Sequence, residues 1–407
     1  MSYAHGDFFP PVDDHIEAYQ PPLYYLISAG VVHIAHALKL ASPYFLLKLF
    51  STACGLITAL CCYMAWTLVF GRSWFAFMFI SACWAYLPMH IYLSPMVGNE
   101  MFTASITGIA LVSVLRTIKK DDFSNGNAVI TGIILGCCLL SKYSTIPMVA
   151  CTFGIFVYHL RQIKQTRKRT LRFVLLVLGI TVILSGWWYV RNAVLYDNPL
   201  ISPPHRKPFQ QIYSTQPPAK RVLKDIIWFD ISILNNPLLA ANGNVLRFFQ
   251  TFMQTGDCSL YNTAFNSIPA GTYSTAWVEN HAYFLTVPSR QVQRLAVFLV
   301  RIALLPTLIF IIGFTALLIH AVKSKSEPLI FMMCYFLLSI AAYLWFNIRY
   351  PNFSHVKAFF LLHTTPVLAI SFTYAMTIFR KRSYLLFLTA VISIVITASI
   401  SYCLYLL

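Results

Sequence analysis

Long apolar runs alternate with short polar breaks along most of this chain. A membrane-crossing helix takes about 20 mostly apolar residues. Ten runs approach or exceed that length, near 45–70, 74–94, 99–117, 127–142, 144–160, 172–190, 299–322, 328–346, 356–379 and 383–406. An eleventh apolar segment, 21–40, opens with two prolines and holds Gly30, with His33 and His36 on one helical face. The stretch 191–298 has a different texture, rich in aromatics, Asn and Pro. The pattern predicts an all-α polytopic membrane protein of about ten transmembrane helices, with a surface helix and one long loop region. Its expected parts are a partial first external loop with the surface helix at 1–44, a transmembrane core at 45–190, an external loop region at 191–298 and C-terminal transmembrane helices at 299–407.

Charge in the breaks gives the orientation. Five breaks are basic: Arg72; Arg116, Lys119 and Lys120; Arg161, Lys164, Arg167, Lys168, Arg169 and Arg172; Lys323 and Lys325; Arg380, Lys381 and Arg382. Counting spans puts all five on one side, which is then cytoplasmic. The turn at 141–144, the long loop, the segment 347–355 and the turn holding Asn99 and Glu100 face outward. Of thirteen acids, Asp121, Asp122 and Glu327 fall on the cytoplasmic side, and the other ten are external if the N-terminus is external. Acid–base chemistry needs carboxylates, so an enzyme built this way works on its outer face. Residues 1–20 hold four acids and no Lys or Arg, which is unlike a cytoplasmic tail. Segment 21–40 therefore reads as a helix lying on the outer surface. No signal peptide precedes such a tail, and the expectation is an upstream span missing from this chain.

Composition agrees with the membrane reading. The chain is 58% hydrophobic and 11% charged, against roughly 25% charged in soluble domains. The net charge of +17 is largely that of the basic breaks, which argues against a nucleic-acid partner. Nine of the ten cysteines sit in apolar runs, with Cys258 alone in the long loop. They read as small buried hydrophobes rather than a disulfide framework. No phosphate-binding glycine loop, zinc motif or nucleophile elbow occurs, so no metal ligands are assigned. His33 and His36 read as packing residues.

Several outward features carry candidate chemistry. Tyr19-Gln20-Pro21-Pro22-Leu23-Tyr24-Tyr25 is a stiff turn, because proline fixes its own φ and restrains the residue before it. Gly98-Asn99-Glu100 opens a span from the outside, and an acid at a membrane lip is costly without a partner or a task. Lys142 and Tyr143 occupy a tight outward turn, where the lysine is a point charge for a phosphate. Arg191 ends the run Trp187-Trp188-Tyr189-Val190 and suits bidentate binding of an oxyanion. Lys357 enters a later span from the same side. Lys142, Arg191 and Lys357 thus form a prospective cradle for a lipid phosphate. In the long loop, Trp228, Asp230, Trp277, Glu279 and His281 suit sugar binding only diffusely, and a folded lid without chemistry accounts for them as well.

Taken together these residues resemble the polytopic glycosyltransferases of the GT-C class. That group includes bacterial relatives of dolichyl-phosphate-mannose protein mannosyltransferases and the lipid A aminoarabinose transferase. The resemblance rests on YQPPLYY at 19–25, GNE at 98–100, LLSKYS at 139–144, WWYVRNAVLYDNPL at 187–200 and SHVKAFFLLHTTP at 354–366. It implies a GT-C-like fold and transfer of a sugar from a polyprenyl-phosphate carrier to a glycan, lipid or protein acceptor on the outer face of a bacterial plasma membrane. It implies a carboxylate base, inversion at the anomeric carbon and, as an open option, a divalent metal. The implied catalytic residues are Glu100, Asp14 and Glu17. The implied substrate-binding residues are Tyr19, Gln20, Asn99, Lys142, Tyr143, Arg191 and Lys357. One departure stands out: the family's first loop carries an Asp-Glu pair just after its first span, and this chain begins too late to include it. Asp13, Asp14 and Glu17 do not match that pair in position. A truncated or mis-set start and a catalytically inactive relative both account for this.

A transporter or flippase for a lipid or sugar is the alternative from another class. It would place ionisable groups at mid-bilayer and often shows internal repeats. Here the runs are nearly free of charge apart from Arg301, and no repeat is visible.

Overall fold

The computed structural model describes residues 18–162, 167–201, 216–218, 220–278 and 290–406. Among them the regular structure is helical, apart from a single bridge between Ala240 and Tyr261. Asp14, Glu17, Glu279 and His281 lie outside the described residues.

Helix α1 (Leu23–Ala37) begins where Pro22 can no longer block helical bonding. Its 15 residues rise about 22 Å, less than the roughly 30 Å of a hydrocarbon core. It buries Tyr24 against Phe50 and Phe102, with ring centroids 6.5 and 6.0 Å away. His33 and His36 lie on its exposed face rather than packed, because its buried side is the one carrying Tyr24 and Ala35.

Helix α2 (Tyr44–Phe70) ends at Gly71, whose φ of 87° suits glycine. The expected run 74–94 is two helices, α3 (Trp74–Tyr86) and α4 (Pro88–Leu93). Pro88 forces Leu87 into an extended conformation and starts a new helix. Then come α5 (Asn99–Lys120), α6 (Asn125–Ser141), α7 (Ile146–Gln162) and α8 (Arg167–Tyr196). Helix α8 is 30 residues, about 45 Å long, so it carries Arg191 and Asn192 beyond the predicted run.

The described part of the connection that follows is folded. It contains α9 (Leu223–Ile227), α10 (Val245–Thr255) and α11 (Ile268–Trp277). Its core closes around Phe353, whose ring lies 5.6, 6.0 and 5.8 Å from those of Phe248, Phe252 and Tyr261. Arg221, buried by the same packing, donates to the backbone oxygens of Asn266 and Asn352. The connection is thereby fastened to the 350s turn, and burial pushes this guanidinium below the usual arginine range. The chain continues through α12 (Arg290–Ile302), α13 (Leu304–Ser324), α14 (Glu327–Arg349), a 3₁₀ helix at Ala358–Thr364, α15 (Thr365–Arg382) and α16 (Tyr384–Leu406).

Eight helices among the described residues are long and apolar enough to cross a membrane, and α3 and α6 are shorter apolar helices where two further spans were expected. The chain is a multi-pass membrane protein. Helices α2 with α5, α6 with α8 and α13 with α15 pack closely. The last pair meets at Gly313, where a Cβ would fall on the backbone carbonyl of Ser371. Small residues permit such approach between membrane helices. Gly313→Ala should lower the thermal midpoint in detergent, although alanine favours helix by about 1 kcal/mol. Gly179→Ala, with open space at its Cβ, should raise the midpoint or leave it unchanged. Equal shifts in both variants would contradict this packing.

Candidate active site

Lys142 follows the last residue of α6. The backbone turns extended there and then enters a 3₁₀ turn, Tyr143–Thr145. Thr145 holds the turn, its hydroxyl donating to the carbonyls of Cys138 and Lys142 at 2.7 and 2.8 Å. The lysine does not extend toward solvent. It reaches the first turn of α5, where Nζ donates to Glu100 Oε1 at 2.5 Å and to Asn99 Oδ1 at 3.4 Å. The lysine side chain is 7% exposed and that of Glu100 19%. Rings of Phe359 and Phe360 lie 5.6 and 5.3 Å from the ammonium, adding cation–π attraction. Glu100 gains further from the positive end of α5. An ammonium buried this far costs several kcal/mol unless paired, and the ring pair and the carboxylate offset that cost together. Asn99 Nδ2 is buried and has no acceptor among the described residues, so a donor remains at the edge of the pair.

A second group adjoins it. Asn192, fully buried on α8, donates to Tyr143 Oη at 3.1 Å, and Tyr143 Oη donates to the carbonyl of Tyr19 at 3.2 Å. This ties α8, the Lys142 turn and the proline turn. Buried Gln20 donates to Tyr19 Oη at 3.0 Å. Arg191 donates to Asn192 Oδ1 at 3.2 Å and lies over the Trp188 and Tyr196 rings at 5.1 and 5.8 Å. Lys357 lies 5.5 Å from the Phe359 ring, so Lys142 and Lys357 flank one aromatic side chain.

The sequence-predicted residues Asn99, Glu100 and Lys142 therefore meet directly. Tyr19, Gln20, Tyr143 and Arg191 form the adjoining network, and Lys357 joins through Phe359. Asn192, Phe359 and Phe360 join the site as well, and all three stand within the segments 187–200 and 354–366. A hydrophobic stretch gives no cue that its phenylalanines face a cation. Among the described residues this pair of groups holds one carboxylate, Glu100, and Lys142 is its partner.

On the other side of the 3₁₀ helix Ala358–Thr364 lies an apolar cavity of about 540 Å³. Its lining includes Ala358 and Leu361.

No family model matches the chain, and no curated protein matches it. Solved structures do. The Archaeoglobus fulgidus oligosaccharyltransferase complexed with Zn and sulfate matches with a TM-score of 0.53 and 14% identity, over 99% of this chain and 47% of its own. AglB from the same organism, in complex with an inhibitory peptide and a dolichol-phosphate, matches with a TM-score of 0.55 and 14% identity, over 99% and 50%. Apo ArnT from Cupriavidus metallidurans gives a TM-score of 0.46 and 15% identity, over 92% and 53%. The chain spans about half the length of the structures it matches. The likeness to the oligosaccharyltransferase establishes the architecture: the fold is GT-C-like.

Proposed function

We propose that this chain is a membrane glycosyltransferase that takes a sugar from a polyprenyl-phosphate carrier and transfers it on the non-cytoplasmic face. The observation that carries the proposal is the Lys142–Glu100 pair, with Lys357 sharing the Phe359 ring with Lys142 and Arg191 joined to the Lys142 turn through Asn192 and Tyr143, at the helix ends opposite the basic breaks. A solved relative in fold, AglB, has been seen with a dolichol-phosphate and a peptide, which fits a lipid-linked donor and a separate acceptor.

In this mechanism Arg191 and Lys357 draw the carrier phosphate to the outer lip. Asn99 Nδ2 donates to it. Glu100 holds Lys142 under the Phe359–Phe360 pair, and the ammonium stabilises charge developing on the leaving phosphate. The acceptor hydroxyl attacks the anomeric carbon, the bond to the phosphate oxygen breaks, and polyprenyl phosphate departs. The acceptor proton passes to a carboxylate, for which the acidic segment holding Asp14 and Glu17 is the candidate. Glu100 then acts through Lys142 and is not itself the proton acceptor. The bacterial plasma membrane is the proposed location.

Orientation is tested by single cysteines in a background lacking the native ones. Ser354→Cys should react with an impermeant maleimide added outside intact cells. Lys168→Cys should react only after permeabilisation. The reverse pattern would place the site on the cytoplasmic face and end this reading.

A further inference from the structure

The 3₁₀ helix Ala358–Thr364 is a thin partition. At 3 residues per turn, positions i and i+3 share a face. Ala358 and Leu361 line the cavity, whereas Phe359 and Phe360 face Lys142. The two sides differ in chemistry. Among the described residues, no Asp, Glu, Lys, Arg, Asn or Gln lines the cavity. Its hydroxyls are already engaged by protein. Thr272 and Tyr343 bond each other at 2.8 Å. Tyr273 donates to Val300 O at 2.5 Å, Thr307 to Ala303 O at 2.8 Å, Thr365 to Leu362 O at 2.6 Å and Thr397 to Ser393 O at 2.7 Å. A sugar or peptide placed here would lose its own hydrogen bonds to water without replacement. A hydrocarbon chain has no such bonds to lose and packs against the apolar wall.

A transferase has two substrates. On the reading above, the carrier phosphate belongs with Arg191 and Lys142. From Arg191 a carrier tail has a lipid-facing route along α8, where Ile183, Val190 and Val194 are 80%, 63% and 74% exposed. The chamber behind the partition is then left for the other substrate. We infer that the acceptor is itself a lipid, one hydrocarbon chain of which fills this cavity while its hydroxyl-bearing end passes Ala358 and Lys357 toward Lys142. The inference depends on the glycosyltransferase reading and supplies the acceptor class that reading leaves open.

The test uses the full chain in liposomes with two photoprobes, a glycerophospholipid and a polyprenyl phosphate, each with a diazirine on its hydrocarbon chain. Adducts are mapped by mass spectrometry. The phospholipid probe should mark Leu344 and Leu368, which line the cavity, and excess polyprenyl phosphate should not displace it. Filling the cavity from two different helices, with Ala369→Trp or Ala398→Trp, should each reduce that labelling about tenfold in protein that still elutes as a folded monodisperse species. Displacement by polyprenyl phosphate, or polyprenyl adducts at Leu344 and Leu368, would assign the cavity to the carrier and overturn the inference. So would phospholipid labelling no stronger there than at Ile183 and Val194. Release of polyprenyl phosphate from its sugar conjugate is followed in parallel. Its absence alongside cavity labelling would sink the transferase reading, whereas its presence without cavity labelling would sink only the lipid acceptor.

Discussion

Lys142→Ala and Glu100→Gln should each destabilise the protein by about 3–5 kcal/mol, the range for breaking a buried pair and leaving one charge behind. The two side chains are 7% and 19% exposed, so water does little to screen the orphan. The double variant Lys142→Met/Glu100→Gln should recover most of that stability, because it removes both charges and keeps similar volume. Sugar transfer should be lost in all three. Recovery of folding without recovery of transfer separates a chemical role from a structural one. Additive losses in the double variant, read by thermal unfolding in detergent, would show that the two groups are not coupled. Retained transfer in the double variant would remove the pair from the mechanism.

Arg191→Ala carries the second large effect. The guanidinium is held by Asn192 and by the Trp188 and Tyr196 rings, which fixes its plane. Removing a pre-positioned donor to developing charge typically costs about 100- to 1,000-fold in rate, and that loss is expected here in sugar transfer. Arg191→Lys should restore little, since an ammonium lacks the planar fork and the stacking. Stability should change by less than in the Lys142 variants, because Arg191 is only partly buried. Full activity of Arg191→Lys would reduce the residue to a point charge.

Much of the helical layout was legible from apolar run length. The break at Leu87 was readable too, since Pro88 lies inside the run 74–94, but length alone merged the two pieces. The start of the run 356–379 was misleading for a different reason. Its residues are apolar, yet Ala358–Thr364 is 3₁₀, and periodicity in so short a segment does not separate that from α-helix. At the site, the sequence singled out Glu100 and Lys142 as separate candidates. Their pairing depends on α5 and α6 running side by side, so that residues 42 apart in sequence meet. Asn192 carries no cue in the sequence, because an amide beside an arginine at a helix end most often faces water. It is fully buried, and its amide reaches Tyr143 in the Lys142 turn, 49 residues away in sequence. The histidines of α1 show the converse, since one helical face carries them but nothing in the sequence says which face is packed.

The most direct measurement is release of polyprenyl phosphate from a labelled polyprenyl-phosphate sugar by membranes containing the chain, compared with membranes containing Lys142→Ala or Arg191→Ala at matched protein levels. The account predicts release by the unaltered protein and near-background release by both variants. Equal release from all three, or none from the unaltered protein, would contradict it.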